Sequence, residues 1–279
     1  MKDYLILCKP RIAVMVMATA ALGYAASGSP VSNVFFWTLL GVGLASAACG
    51  CLNQLIERKQ DGLMARTRNR PIAAGRVSPR HGLTFGLALA LSGAAILFWK
   101  SATASCLITA LTIVVYLLGY TPLKQITHYA TWLGAAAGAT APLIGWAAAQ
   151  GDLSLGAWIL FAIQFLWQIP HFLAIFWMHR EDYARAGFKT FPVIDPRGRL
   201  TAVQIAVHSF TILPASLMPS FYGMAGLGYG VGALVLSSAY LGLGMRASWT
   251  LAAVDTRRLF LASLAYLPLL FSLLLLGGL

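Results

Sequence analysis

Three oxygen-bearing side chains recur at four-residue intervals in the segment NQLIERKQD. They are Asn53, Glu57 and Asp61. On a helix, residues four apart lie on neighbouring turns of one face, so these side chains would converge at one helix end. Magnesium prefers oxygen ligands and typically takes one or two carboxylates together with substrate phosphates. The spacing therefore predicts a magnesium site that also receives a phosphate-bearing substrate.

Arginines follow this stripe within the same short stretch. Arg66 and Arg70 are again four residues apart, and guanidinium groups match phosphate oxygens in pairs. The alternative interpretation is a solvated helix end whose charges pair with one another. Because the chain has only 8 acidic residues, the placement of two of them on one stripe beside these arginines favours a site for metal and phosphate.

A second polar stripe runs along the apolar segment QFLWQIPHFLAIFWMHREDY. Gln164, Gln168 and His171 are spaced i, i+4, i+7, and a continuous helix would bring Asp182 onto the same face. Polar residues inside a membrane span are costly and usually face the bundle interior or a wet cavity. The end of the segment also supplies His179, Arg180 and Glu181.

If the two helix ends meet, their carboxylates and arginines form a two-sided clamp around a metal and a diphosphate. The mouth of such a site is polar and the interior behind it is apolar. A long hydrocarbon chain with a diphosphate head group fits that division. The geometry requires Asp61 and Asp182 to lie on the same side of the molecule.

Three further side chains have two interpretations each. His171 either bonds a helix carbonyl or has a functional role. Tyr120 and Lys124 either add a phenol and an ammonium to the phosphate site or are an interfacial aromatic and a snorkelling lysine. His208 is a weaker candidate for the site.

The composition indicates the surroundings that position these residues. The 279-residue chain is 59% hydrophobic and 10% charged, whereas soluble domains carry about 25% charged residues. Apolar stretches long enough to cross a bilayer recur along it. We predict an all-α membrane protein, one domain over residues 1–279, with about nine transmembrane helices. Their cores are Ile12–Ala26, Phe35–Cys51, Gly82–Phe98, Cys106–Leu118, Trp132–Ala149, Trp158–Trp177, Val203–Leu217, Tyr222–Leu243 and Leu259–Leu276.

The basic residues then set the orientation. With the N-terminus in the cytoplasm, every lysine and arginine except Lys100 falls on the cytoplasmic side, as the positive-inside rule predicts. The net charge of +12 is therefore a topology signal. We expect no nucleic-acid partner, because the basic residues do not belong to a soluble module.

Two long motifs resemble a known family. NQLIERKQDGLMARTRNRPIAAGRVSP and WQIPHFLAIFWMHREDYARAGF are similar to the two acidic motifs of the UbiA superfamily of intramembrane prenyltransferases, in the form of its heme O synthase branch. YTPLK, APLIGW and KPR also fit, and the resemblance covers nearly the whole chain. His179 and Tyr183 stand where many of these enzymes carry acids, which leaves the number of metal ions open.

The resemblance implies nine helices around a central cavity, with Mg²⁺, farnesyl diphosphate and heme b. It implies that Asn53, Glu57, Asp61, Asp182 and Glu181 hold the metal. It assigns Arg66, Arg70, Lys124 and Arg180 to the diphosphate, with Tyr120 beside them. We expect heme contacts from His171, Gln168 and His208.

The implied reaction begins with departure of diphosphate, which leaves an allylic cation that a heme vinyl group attacks. The product would be heme O, and a downstream heme A synthase is a candidate partner. The implied location is the bacterial inner membrane, with a multi-pass chain whose site loops face the cytoplasm. Two other functions stay open: prenylation of an aromatic quinone precursor, and transport of an anionic lipid or metabolite.

Overall fold

The computed structural model describes residues 1–277, and the regular elements within that range are all helical. Long helices alternate with short ones that lie in the connections. In chain order the helices are α1 (Lys2–Leu7), α2 (Pro10–Ala26), α3 (Asn33–Ile56), α4 (Arg58–Leu63), α5 (Pro79–Lys100), α6 (Thr103–Val114), α7 (Thr121–Leu123), α8 (Ala130–Gln150), α9 (Leu155–Met178), α10 (Arg180–Arg185), α11 (Phe191–Ile194), α12 (Arg199–Phe221), α13 (Leu227–Thr250) and α14 (Ala253–Gly277).

Within residues 1–277, seven helices are long and apolar enough to cross a membrane, and the shorter apolar helix α2 is an eighth candidate. One of the seven, Thr103–Leu123, includes α6, a π-helical turn at Val115–Tyr120, and α7. The alanine-rich helix α8 has 21 residues and completes a set of nine. The prediction of about nine spans in an all-α membrane protein is confirmed.

The predicted start of the eighth span, at Tyr222, is wrong. Helix α13 begins at Leu227, because the chain turns at Gly223 with a φ of 70°. The Pro219 carbonyl accepts the backbone N–H of Met224 at 2.8 Å, which closes that turn. Residues 222–226 are therefore the connection between two spans.

Helices α2 and α8 pack with their backbones in contact. A Cβ atom at Gly145 would lie 1.8 Å from the carbonyl oxygen of Ala20, and one at Gly23 would lie 2.1 Å from that of Pro142. Small residues permit this approach. The resulting van der Waals packing holds the helices together in lipid, where no hydrophobic driving force acts between them. Helix α2 is thereby held against α8.

Two glutamines of α9 bind the backbone of α8. Pro142 has no N–H, so the carbonyl of Gly138 loses its helical partner. Gln164 Nε2 donates to that carbonyl at 2.9 Å, and Gln168 Nε2 donates to the carbonyl of Ala135 at 3.2 Å. The polar stripe predicted on α9 thus joins two helices inside the membrane, where water cannot satisfy a freed carbonyl.

The predicted continuation of α9 to Asp182 as one helix is also wrong. The helix ends at Met178, and His179 has a φ of −116° and a ψ of 22°. Arg180 Nη1 donates to the Trp177 carbonyl at 3.1 Å. A side-chain donor thus occupies a carbonyl that would accept a backbone N–H if the helix continued. Asp182 therefore lies on the separate short helix α10.

Candidate functional site

The three oxygen-bearing residues of the first motif keep their register across a bend. The chain leaves the helical conformation at Glu57, which has a φ of −91° and a ψ of 10°. The backbone N–H of Glu57 still bonds the Asn53 carbonyl at 2.9 Å, and that of Asp61 bonds the Glu57 carbonyl at 2.8 Å. All three residues are buried, with at most 3% of their surface exposed. Burial of two carboxylates demands charged partners.

Asp61 has its partner in the loop that follows. Arg70 Nη1 donates to Oδ1 and Oδ2 of Asp61 at 2.7 and 2.9 Å. Thr67 Oγ1 donates to the backbone carbonyl of Asp61 at 2.9 Å, which folds the loop back over the end of α4. Arg70 is therefore fixed beside a buried acid by local chain geometry.

Glu57 forms its ion pair with Lys124, which follows α7. The Lys124 ammonium also lies over the rings of Tyr120 and Phe188, at 4.8 and 5.1 Å from their centroids. The π-helical turn Val115–Tyr120 ends at Tyr120 and leads to Lys124, and such turns are frequent at functional sites. Tyr120 and Lys124 thus lie beside the first motif.

Lys9 is a site residue that the sequence reasoning did not single out. Its Nζ donates to Asn53 Oδ1 at 3.0 Å, and its φ of 47° is unusual for a residue other than glycine. Burial, with the nearby Arg70 and Lys124 charges, lowers the pKa of Lys9 to about 7. The only sequence signal was its position in KPR, directly before α2.

The second motif reaches the first through the loop after α4. Asp182 Oδ1 accepts the backbone N–H of Ala65 at 3.4 Å. Arg66 Nη2 donates to the Tyr183 hydroxyl at 3.3 Å. Met64 is buried in the same small apolar cluster as Phe188. The two motifs are therefore in contact on one side of the molecule.

Arg180 and Glu181 are placed differently from Asp182. The Arg180 guanidinium lies 4.9 Å from the centroid of the Trp177 ring, and Glu181 is exposed. Both line a shallow polar depression with Asp182 and Arg185, and Arg185 bonds Asp182 at 3.4 Å. These groups form an outer charged ring at the mouth.

The first motif offers oxygen ligands suited to magnesium. Within residues 1–277, no three side chains of histidine, cysteine, aspartate or glutamate are grouped closely enough to hold a metal by themselves. Magnesium does not require such a group, because it takes one or two carboxylates and completes its shell with phosphate and water. Asn53, Glu57 and Asp61 fit that requirement.

The three candidate heme contacts lie at separate places. His171 is stacked between Trp167 and Phe260, at 5.1 and 5.2 Å between ring centroids. Its Nδ1 lies 2.7 Å from Ser263 Oγ. Gln168 serves the packing of α8 and α9, and His208 Nδ1 lies 2.8 Å from the carbonyl of Gln204 on its own helix.

The Ser263 hydroxyl decides which nitrogen of His171 is free. That hydroxyl donates to the Phe260 carbonyl at 2.6 Å, so its oxygen is left to accept the N–H at His171 Nδ1. In a neutral imidazole the other nitrogen then carries the lone pair. His171 Nε2 is therefore the atom that could ligate a metal.

A polytopic helical protein with charged pairs at one mouth is suited to hold an anionic head group at the membrane surface. The chain belongs to the UbiA prenyltransferase family, whose profile it matches over residues 14–277. The expectation from the two motifs is confirmed.

Curated relatives align along nearly the whole chain. The protoheme IX farnesyltransferase of Solibacter usitatus is 41% identical, with 99% of this chain and 98% of the relative aligned. That of Koribacter versatilis is 39% identical, covering 99% of this chain and 93% of the relative.

Solved structures share the fold at low identity. A structure of digeranylgeranylglyceryl phosphate synthase superimposes with a TM-score of 0.81 at 13% identity, covering 99% of this chain and 98% of the other. The UbiA homolog of Aeropyrum pernix K1 gives 0.75 at 18% identity, covering 96% and 98%. The Archaeoglobus fulgidus homolog bound to GPP and Mg²⁺ gives 0.63 at 15% identity, covering 98% and 99%.

Proposed function

We propose that the protein transfers the farnesyl group of farnesyl diphosphate to a vinyl group of heme b, giving heme O and diphosphate. Relatives that align over nearly the whole chain carry the name protoheme IX farnesyltransferase. The two motifs that touch at the mouth are those in which acids and arginines are concentrated.

The observation that carries the proposal is the set of charge pairs at the first motif. Asp61 is paired with Arg70, and Glu57 with Lys124. A diphosphate entering here offers phosphate oxygens to the Arg70 guanidinium and the Lys124 ammonium. The same event frees the two carboxylates for a divalent cation. The pairs thus keep the buried charges compensated before the substrate arrives.

Asn53, Glu57 and Asp61 would hold Mg²⁺, and the resemblance assigns Asp182 and Glu181 of the second motif to the metal as well. When bound, the ion supplies Lewis-acid stabilisation to the departing diphosphate. An A. fulgidus homolog of the same fold was solved with GPP and Mg²⁺, which supports a prenyl diphosphate and this ion.

The chain's own cations would stabilise the negative charge that grows on the leaving group. Arg66 and Arg70 would bind phosphate oxygens, while Lys124 and Tyr120 would close the opposite side. Arg180 would bind at the outer ring. Preorganised charges of this kind usually make the largest contribution to catalysis. The allylic cation left behind would meet the electron-rich vinyl carbon in the apolar interior, and water would complete the hydroxyethyl group.

The acceptor would lie among the aromatic side chains behind the mouth. His171 Nε2 would be the ring nitrogen available to the heme iron, because Nδ1 is bonded to Ser263. Gln168 is a candidate for a polar contact from the same helix, and His208 for one from α12. These three assignments rest on residue chemistry and on the resemblance.

The protein would sit in the bacterial inner membrane with its N-terminus in the cytoplasm. The charged mouth, which includes Lys9, Arg70, Lys124 and Asp182, would then face the cytoplasmic supply of farnesyl diphosphate. The product remains apolar and membrane-bound, so a heme A synthase in the same membrane is a candidate partner.

A single assay tests the function. Purified protein is incubated with farnesyl diphosphate, heme b and Mg²⁺, and the products are identified by mass. We expect the mass of heme O and release of diphosphate. A parallel incubation contains 4-hydroxybenzoate in place of heme b, and a farnesylated acid there, without heme O in the first, would indicate the quinone-precursor alternative. Absence of diphosphate release, with vesicle uptake of an anion, would indicate a transporter.

A further inference from the structure

A small cavity of about 40 Å³ lies beside Lys124, between the start of α8 and the loop that follows α10. Two lysines line it, Lys124 and Lys189, together with the hydroxyl-bearing residues Thr127, Thr131 and Thr190. Among the lining residues that the structure describes, none is acidic. The cavity therefore has the chemistry of an anion site.

One wall of this cavity holds a polar atom that has no partner within residues 1–277. Thr190 is 4% exposed, and its Oγ1 makes no hydrogen bond in that range. A buried hydroxyl without a partner is destabilising, so the position is unfavourable unless something binds there. A ligand with an acceptor oxygen would satisfy Thr190.

The wall is fixed in place by backbone and core contacts. The N–H of Lys189 donates to the Lys124 carbonyl at 2.8 Å. Phe188 is 1% exposed and packs in the apolar cluster with Met64. Lys189 is exposed and, within the described chain, has no carboxylate within ion-pair distance, whereas Lys124 is paired with Glu57. Lys189 is thus the cation available to a new anion.

The cavity matches the smaller of the two anionic groups in the reaction. A volume of about 40 Å³ holds roughly three water molecules, a space that a single carboxylate group fills. Arg66 and Arg70, which would bind the diphosphate, do not line this cavity.

We propose that the cavity between Lys189, Thr190 and Lys124 is a carboxylate subsite that holds an acid group of the acceptor. This inference rests on the proposed function, in which the acceptor is heme b and the acid group is one of its propionates. An aromatic carboxylic acid, the acceptor in the alternative function, presents the same chemistry.

The test measures equilibrium binding, so that it does not depend on turnover. Purified protein is titrated with heme b and with heme b dimethyl ester, in which both propionates are blocked, and the visible absorption band is followed. We expect wild type to bind the free acid roughly tenfold more tightly than the ester. Lys189→Met should abolish that preference, and Lys100→Met, at an exposed lysine on the opposite side, should keep it.

Thr190→Val supplies a second variant that does not endanger the fold. It removes a hydroxyl that has no hydrogen-bond partner among residues 1–277, so thermal stability should be unchanged or higher. The preference for the free acid should nevertheless shrink about threefold to tenfold, the value of a hydrogen bond. Equal binding of acid and ester by wild type would overturn the subsite.

A further arm separates failure of the subsite from failure of the proposed function. If wild type binds no heme, the same variants are titrated with 4-hydroxybenzoate and its methyl ester. A preference for the acid that depends on Lys189 would then support the subsite and reject heme as acceptor. Loss of farnesyl diphosphate affinity in Lys189→Met, with acceptor binding intact, would assign the cavity to the diphosphate and overturn the inference.

Discussion

The Arg70 guanidinium contacts both oxygens of the fully buried Asp61 carboxylate, at 2.7 and 2.9 Å. A buried acid and a partly exposed arginine nine residues later form one unit at the mouth of the helix bundle. In the proposed reaction each member of this pair changes its partner, since Arg70 moves to phosphate and Asp61 to Mg²⁺.

Asp61→Asn should lower kcat by about 10²–10³-fold, the effect of removing one preorganised charge from a polar reaction centre. The amide keeps the shape of the side chain, so we expect the helical circular dichroism spectrum to be retained. Heme O formation by purified protein is the measurement, and Asp152→Asn, at an exposed acid away from the mouth, is the control. Full activity in Asp61→Asn would show that the Asp61 carboxylate is not needed to hold Mg²⁺.

Glu57 and Lys124 should show coupled stability. Lys124→Met leaves the buried Glu57 carboxylate without its cation, which should cost about 3–5 kcal/mol of unfolding free energy. Adding Glu57→Gln removes the charge and should restore most of the stability, while heme O formation stays low in both variants. Thermal unfolding in detergent measures the change in stability. Additive losses in the double variant would contradict the coupling.

The contact of α2 with α8 predicts a strong effect of one added methyl group. Gly145→Ala places a Cβ about 1.8 Å from the Ala20 carbonyl, so the helices must separate and the melting temperature should fall. Gly242→Ala on α13 meets open space and serves as the matched control. The expected order is wild type equal to the control, with Gly145→Ala clearly lower. Equal stability of all three would refute close helix packing here.

Gln164 and Pro142 should be linked through the Gly138 carbonyl. Gln164→Leu leaves that carbonyl without a donor, at a cost of about 1 kcal/mol for an interhelical hydrogen bond in a membrane. Pro142→Ala restores the helical N–H, so Gln164→Leu should cost less in that background. A double-mutant cycle of thermal stability measures the coupling. A coupling of zero would mean that the glutamine serves another role.

His171 should leave a spectroscopic signature if its Nε2 ligates the heme iron. His171→Ala should then shift the visible bands of bound ferric heme, because an imidazole ligand is lost. Ser263→Ala frees the ring to reorient, and we expect weaker heme binding with a mixed spectrum. His208→Ala serves as the comparison on a different helix. Unchanged spectra in all three variants would exclude iron ligation by these histidines.

The sequence alone determined the class of fold, the nine spans and the residues of both motifs. These features depend on local properties: runs of apolar residues longer than a bilayer requires, and side chains spaced at the period of a helix. The heptad-like spacing of Gln164, Gln168 and His171 also placed them correctly on α9. It did not reveal that the glutamines donate hydrogen bonds to the backbone of α8, because the unsatisfied carbonyl belongs to another helix.

The tertiary structure decided how those residues are paired. Lys9 bonds Asn53 across 44 positions of the chain, and Ala65 bonds Asp182 across 117. Neither contact has a local sequence signal, since both depend on how the helices assemble. The bends at Glu57 and His179 likewise arise where the chain leaves a span and meets another segment. Periodicity predicts which side chains share a face, but only the packed bundle decides which faces meet.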